Sequence, residues 1–211
     1  MVQRERLRVC LAPDEVEGAL GMGNLAVEDV ADEVAAALEA GDHDLVVEIL
    51  VTQYGDEVYR YCRRMLGNSV DTDDVSQVVF VQVFQCVNAL RDVRNLRSWI
   101  LGIARHRCLD RLKAIRRRPE MPALGEVDEF PDRAMADHVA TADPRVRKAL
   151  DECLDRLDAR SRAALVLRFH HGMSFTAISG LIPNSPGALR VRVARALPAL
   201  RRCLETKGVT P

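Results

Sequence analysis

Aromatic side chains are scarce in this 211-residue sequence, 4% of it with a single Trp, while Ala, Leu, Val, Arg and Glu dominate. That balance excludes a sheet-rich chain and predicts an all-α fold. Long apolar runs are missing too. With no stretch of about 18 such residues, neither a transmembrane helix nor stable membrane insertion is expected. The opening MVQRERLRVCLAPDE has bases but no long apolar core, so it does not read as a signal peptide, and a cytoplasmic location is expected. Clustered metal ligands are absent: Cys10, Cys62, Cys86, Cys108, Cys153 and Cys203 are scattered without a CxxC, and the adjacent His170 and His171 cannot share one helical face. No metal and no cofactor are expected, and buried reduced thiols are the expected cysteine state. The sequence also lacks a glycine-rich phosphate loop, a Ser/His/Asp set and a paired carboxylate in a basic setting. Catalytic residues are therefore not expected, and the chain does not read as an enzyme.

What the sequence does have is charge in blocks. The net charge of −1 conceals net −11 over residues 1–59, +8 over 60–118, −6 over 119–159 and +8 over 160–211. Phosphate neutralisation is local, so two basic blocks separated by an acidic one imply two nucleic-acid-facing modules on one chain.

Local signals divide the chain in the same way. Residues 1–41 form an acidic extension. Its first 26 residues, with Pro13, Gly18, Gly21 and Gly23, are expected to be loosely attached, and Val27–Glu39 reads as a helix with a Val27/Val30/Val34/Leu38 stripe ended by Gly41. Residues 42–118 form a first helical domain. In it Asp42–Leu66 is a long helix turning Leu45, Ile49, Tyr54, Val58 and Cys62 or Tyr61 inward, stopped by Gly67-Asn68. The run VSQVVFVQVFQCV has strand propensity, but its length and acidic start favour a helix over Asp71–Val87, buried on more than one side. Leu90–Asn95 is a basic loop, and Ser98 opens a helix to Arg118 that Pro119 stops. Residues 119–144, rich in Pro and acids without an apolar period, are a flexible linker. Residues 145–205 form a second helical domain, beginning with helices over Val146–Leu157 and Ser161–His171, and 206–211 are a tail.

The segment Ser174–Leu204 carries the sharpest signal. A short helix, a Pro/Asn/Ser/Pro break and a basic helix follow one another, with Ser185 suited to the cap and Pro186 to the first helical position. Leu189, Val193, Ala196, Leu197 and Leu200 form one apolar stripe, while Gly187, Val191, Arg195 and Arg202 point away from it and Arg190, Arg192 and Arg201 flank it. A helix packed on one side and studded with guanidinium groups elsewhere has the form of the second helix of a helix-turn-helix, which enters the DNA major groove.

Two stretches resemble the extracytoplasmic-function (ECF) sigma factors of the sigma-70 family. DDVSQVVFVQVFQ (Asp73 to Gln85) and LRSWILGIARHRCLDRLKAIRRR (Leu96 to Arg118) are similar to two successive helices of that family's region 2. LDECLDRLDARSRAALVLRFHHGMSFTAISGLIPNSPGALRVRVARALPALR is similar to its region 4. The resemblance implies a transcription initiation factor that binds core RNA polymerase and promoter DNA, with an anti-sigma factor left open as a partner. It implies polymerase docking through Asp74, Gln77 and Phe80. Minus 10 DNA would be met by Leu90, Arg91, Asn95, Arg105, Arg107, Asp110, Arg111 and Lys113, with an extruded base held by the loop and phosphates by the bases. Minus 35 DNA would be met by Pro186, Gly187, Arg190, Val191, Arg192 and Arg195. Trp99, Ile100 and Ile103 read as core rather than as base-stacking residues. The sequence departs from the family pattern at Val78, usually acidic, at His106, usually Asn, and at Ala177-Ile178-Ser179, usually Glu-Ile-Ala.

Two other classes stay open on sequence alone. A stand-alone helix-turn-helix regulator leaves the basic helix at 98–118 without a role, and a protein-interaction module predicts no sequence-specific DNA contact.

Overall fold

The computed structural model describes residues 25–67, 70–87, 90, 93–117 and 143–209. Among these the chain is helical, with no strand: α1 (Leu25–Glu39), α2 (His43–Leu66), α3 (Val70–Cys86), a 3-10 turn (Val93–Asn95), α4 (Leu96–Arg117), α5 (Pro144–Asp155), α6 (Ala159–Leu165), α7 (Phe175–Leu181) and α8 (Pro186–Thr206). The helix starts follow local chemistry. Asp42, Asp143, Asp158, Ser174 and Ser185 each accept a hydrogen bond from a backbone N–H of the first turn. Gly41 and Gly67 end α1 and α2 with positive φ, which only Gly adopts without strain. α6 runs on as a single π-helical stretch, Val166–His170, before Gly172 (φ 66°) breaks it.

α2, α3 and α4 pack on one another, and α1 lies across α2 and the 93–95 turn. The stripe predicted for α1 is partly seen: Val34 is fully buried, and Val30 and Leu38 lean on the core. Of the 26 residues expected to be loosely attached, 1–24 lie outside the described residues, as does Pro119, while Leu25 and Ala26 begin α1. In α2 the buried stripe is Val46, Leu50, Tyr54, Val58, Tyr61, Cys62 and Met65. Leu45, expected inside, is exposed because the stripe starts one residue later, where α1 covers the helix.

α3 is a helix, as expected, but it is buried on one side only. Val75, Val79, Val83 and Cys86 face α2 and α4, while Val70, Val78, Val81 and Phe84 face outward. Trp99, Ile100 and Ile103 are core. The expected reduced state of the cysteines is corrected at Cys86, Cys153 and Cys203, each of which is disulfide-bonded. Cys153 of α5 and Cys203 of α8 form a disulfide, while Cys62 and Cys108 are buried free thiols. Both bonded residues sit on the inner edges of two helices that pack side by side, which brings their Cα atoms to 5.8 Å.

α5 to α8 do not form an island. α7 and α6 pack on α4, and α5 and α6 on α2, so one continuous apolar core joins the two halves.

Candidate nucleic-acid interface

Within α8, Leu189, Val193 and Ala196 are buried and Leu200 half-buried, so the stripe repeats at three and four residues. Leu197, expected in that stripe, is 40% exposed. It lies about 100° round the helix from Ala196, past the edge of the packed face. The opposite face presents Gly187, Val191, Ala194, Arg195 and Arg202 to solvent. Pro186 occupies the first helical position behind the Ser185 cap, as the sequence implied.

The arginines of α8 differ in their freedom. Arg190 lies over the Phe175 ring at 5.7 Å, and Arg168 approaches the same ring at 5.2 Å, so an aromatic side chain of α7 orients two cations. Arg192 turns back into the domain. Its Nη1 is 3.5 Å from the Ser161 hydroxyl and 3.7 Å from Asp158, which caps α6. Arg195 projects from the exposed face.

The basic helix α4 is more engaged than its sequence suggests. Arg111 pairs with Asp71 of α3. Asp110 pairs with Lys113 at 3.1 Å and with the His106 ring at 3.2 Å, and burial lowers the His106 pKa. Arg105 is half-buried; burial lowers its pKa from the usual arginine value, and the Arg160 charge from α6 acts in the same direction. Arg107 is half-buried, and Lys113 is the exposed member of the predicted set on α4. In the loop before α4, Leu90 leans on the core and Asn95 is half-buried, while Arg91 lies outside the described residues.

On α3, Asp74 and Gln77 are exposed and Phe80 leans on the core. Beside the first two, Val78, Val81 and Phe84 extend an outward apolar stripe, with Val81 56% and Phe84 48% exposed. Sequence reasoning missed Val81 and Phe84 because it took this run as buried on more than one side; their three-residue spacing from Val78 was the available signal.

A second group of residues went unread in the sequence. Glu57 of α2 accepts from Arg97 Nε of α4 at 2.9 Å and lies 2.9 Å from His171 Nδ1, ahead of α7. A carboxylate only accepts, so the imidazole Nδ1–H is the donor. Arg97 also donates to the His171 carbonyl at 2.8 Å. Burial alone would raise the Glu57 pKa, but the hydrogen bonds from His171 and Arg97, reinforced by their charge, outweigh it and hold the carboxyl at about 2. Nearby, Arg64 of α2 pairs with Asp151 of α5 at 2.5 Å, and the buried Arg162 of α6 donates to the Met65 carbonyl at 2.6 Å.

Two families match this chain. Residues 50–118 match Sigma-70 region 2, and residues 147–200 match Sigma-70, region 4. Among similar curated proteins, the ECF RNA polymerase sigma factor SigD of Mycobacterium tuberculosis is 32% identical over 180 residues, spanning 81% of this chain and 82% of that one. The ECF RNA polymerase sigma factor SigW of Bacillus subtilis is 26% identical over 176 residues, spanning 79% of this chain and 92% of that one. Among solved structures, CnrH in complex with the cytosolic domain of CnrY shares the fold at a TM-score of 0.57 and 21% identity, covering 86% of this chain and 98% of that one. The sigma factor RpoE in complex with the anti-sigma factor NepR from Bartonella quintana does so at 0.58 and 16%, covering 74% and 94%.

Proposed function

The chain belongs to the sigma-70 family, in its ECF group, and from that premise we propose how its residues divide the work of starting transcription. It is an RNA polymerase sigma factor: it binds core RNA polymerase, recognises the minus 35 and minus 10 promoter elements and promotes promoter opening. The outward face of α3 docks on the polymerase. Asp74 and Gln77 supply polar contacts, Val78, Val81 and Phe84 the apolar area, and Phe80 supports the face from below. Without the acid that the family usually has at Val78, this docking leans on apolar burial.

The minus 35 element is read by α8 in the major groove. Gly187 and Pro186 let the helix start approach the DNA. Arg195 and Arg190 reach bases or phosphates, and Val191 offers an apolar contact suited to a thymine methyl. Arg192 acts behind them, through the α6 cap. The minus 10 element is met by Leu90, Arg91 and Asn95 and by the α4 residues Arg105, Arg107, Asp110, Arg111 and Lys113. Lys113 is the most accessible of the α4 residues, and the other four are tied to neighbouring side chains or half-buried.

The chain is a regulatory initiation factor and not an enzyme; phosphodiester chemistry belongs to the polymerase it directs. It acts in the cytoplasm, where the chromosome is, and among the described residues no helix is long and apolar enough to cross a membrane. An anti-sigma factor is a proposed partner, supported by the complex in which the RpoE neighbour was solved.

The observation that carries this reading is the coexistence, in one chain, of both sigma-70 regions with a capped α8 whose exposed face is basic. Runoff transcription with purified core polymerase on a promoter library tests it. Defined transcripts that depend on the chain are expected. Tight sequence-specific binding without polymerase, and no transcripts with it, would favour a stand-alone regulator.

A further inference from the structure

We propose that Cys153 and Cys203 are a reversible redox couple: hydrogen peroxide joins them, dithiol reductants part them, and the joined form reads the minus 35 element more tightly. The inference rests on the sigma-factor reading and adds a redox control of region 4.

In the cytoplasm thiol reductants keep most cysteines open, and the disulfides that do form there are mainly transient, catalytic or redox-sensing. The fold nevertheless brings these two sulfurs together, one from the last turn of α5 and one from the last turn of α8. Access to them is one-sided. Cys153 is 1% exposed and Cys203 half-buried, so an incoming reagent meets the Cys203 sulfur first. In reduction, a dithiol's thiolate attacks Cys203 Sγ and the S–S bond breaks, releasing Cys153 as a thiolate that takes a proton. The reagent's second thiol then displaces Cys203 and leaves as the reagent's own disulfide. In oxidation, the Cys203 thiolate attacks a peroxide oxygen and the O–O bond breaks, giving a sulfenic acid and one water. The Cys153 thiolate displaces hydroxide from that sulfur, so the S–S bond forms and a second water leaves.

α8 depends on this tie because its own hydrogen-bond ladder is interrupted. Pro198 lies inside the helix without an N–H, so the Ala194 carbonyl loses its usual intrahelical donor. Before that point α8 is anchored by Leu189, Val193 and Ala196, all buried. Beyond it no residue of the helix is buried: Leu200, Cys203 and Leu204 are half-buried, and the rest up to Thr206 are exposed. So short a helical segment does not hold itself in water. The pair of Lys207 with Glu152 lies at the surface, where ion pairs contribute little. The bond from Cys203 to Cys153 is therefore the main tie of this segment to α5. Once it opens, the segment frays back to Pro198 and α5 loses part of its seat, so the DNA-reading half of the same helix keeps fewer neighbours. A unit of about 60 residues buries too small a share of its surface to spare such a tie.

The test uses the full chain, oxidised with hydrogen peroxide or treated with reduced thioredoxin, freed of reagent and combined with untreated core polymerase. Alkylation of free thiols and mass spectrometry read the state of the pair. Cys86 is also disulfide-bonded, so Cys153→Ser with Cys203→Ser isolates this couple. Cys203→Ser alone replaces the double variant if that loses helicity by circular dichroism. Fluorescence anisotropy follows the holoenzyme on a minus 35 duplex taken from a promoter recovered in the runoff library. Oxidised wild type is expected to bind on the order of tenfold tighter than reduced wild type, as when reduction leaves about a tenth of molecules competent. The serine variant is expected to match reduced wild type after either treatment. In the chain alone, reduction is expected to speed amide exchange on the order of tenfold over residues 199–206. Equal affinities and equal exchange for the two wild-type forms would overturn the couple. So would a serine variant that still responds, which would move the response to Cys86, or a pair that thioredoxin leaves joined in the folded chain. Failure of both wild-type forms to support runoff transcription would instead overturn the sigma-factor reading, leaving thiol state and amide exchange to judge the couple.

Discussion

Glu57 and His171, 114 residues apart in sequence, meet at 2.9 Å across the boundary between the region 2 and region 4 halves. The pair is partly buried and shares its carboxylate with Arg97, so each group is stabilised in a setting where it would be costly alone.

That setting gives a pH dependence. The Glu57 carboxyl sits at about 2 against an ordinary 4.5, so its contribution to stability is complete above 4.5 and is lost as the pH falls towards 2. The depression corresponds to about 3 kcal/mol. Urea unfolding at pH 5 and pH 3 is expected to show a smaller fall in midpoint for Glu57→Gln than for wild type. Equal falls would mean that Glu57 is not held by Arg97 and His171.

The disulfide between Cys153 and Cys203 closes a 50-residue separation and ties the end of α8 to α5. Loop closure of that size is worth about 4 kcal/mol in the chain-entropy account. Cys203→Ser, or reduction with dithiothreitol, is expected to lower the melting temperature of the second half. Calorimetric scans with and without reductant check it, and coincident scans would show that packing alone holds α5 on α8.

The helices were legible in the sequence because their punctuation is local: Asp42, Ser174 and Ser185 cap, and Gly41 and Gly67 stop. The region 4 recognition helix was legible for the same reason, since its buried and exposed faces separate at helical spacing. Errors arose where burial depends on what another helix covers. Leu45, Leu197 and the outer face of α3 are apolar yet lie beyond the reach of their neighbours. The expected thiol state failed at Cys86 as well as at Cys153 and Cys203, and for the last two nothing local shows that α5 and α8 lie side by side. The α4 arginines read as a uniform DNA grip, whereas Arg111 is bound to Asp71 and Arg105 is half-buried. Their replacement therefore tests packing as well as promoter opening. Residues 1–41, read only as an acidic extension, also place Val34 and Ala37 in the core.

Arg192 and Arg195 are three positions apart on α8 but do different things. Arg192 leans on Ser161 and Asp158, whereas Arg195 projects from the exposed face. Arg195→Ala is expected to weaken minus 35 binding by the holoenzyme by about 1–3 kcal/mol if it reads a base. Arg192→Ala is expected to cost under about 1 kcal/mol of stability, as for an exposed ion pair, with a smaller effect on DNA. Anisotropy titrations with a minus 35 duplex, beside thermal melts of each variant, check the contrast. A larger DNA defect for Arg192→Ala would reverse the assignment.

The outer face of α3 gives the last expectation. Val81 and Phe84 are about half exposed on a helix whose other side is core, and they continue the line of Gln77 and Val78. Large apolar side chains grouped on one helix face mark a binding surface, and the centre of such a surface carries most of the affinity. Replacing both by Ser removes apolar area that the free chain leaves in water, so the melting temperature is expected to stay within about 2–4 °C of wild type. Affinity for core polymerase is expected to fall at least tenfold, about 1.4 kcal/mol. Native gel titration of labelled chain with core polymerase measures it. Unchanged affinity in a folded double variant would move the docking surface away from Val81 and Phe84, towards Asp74 and Gln77 alone.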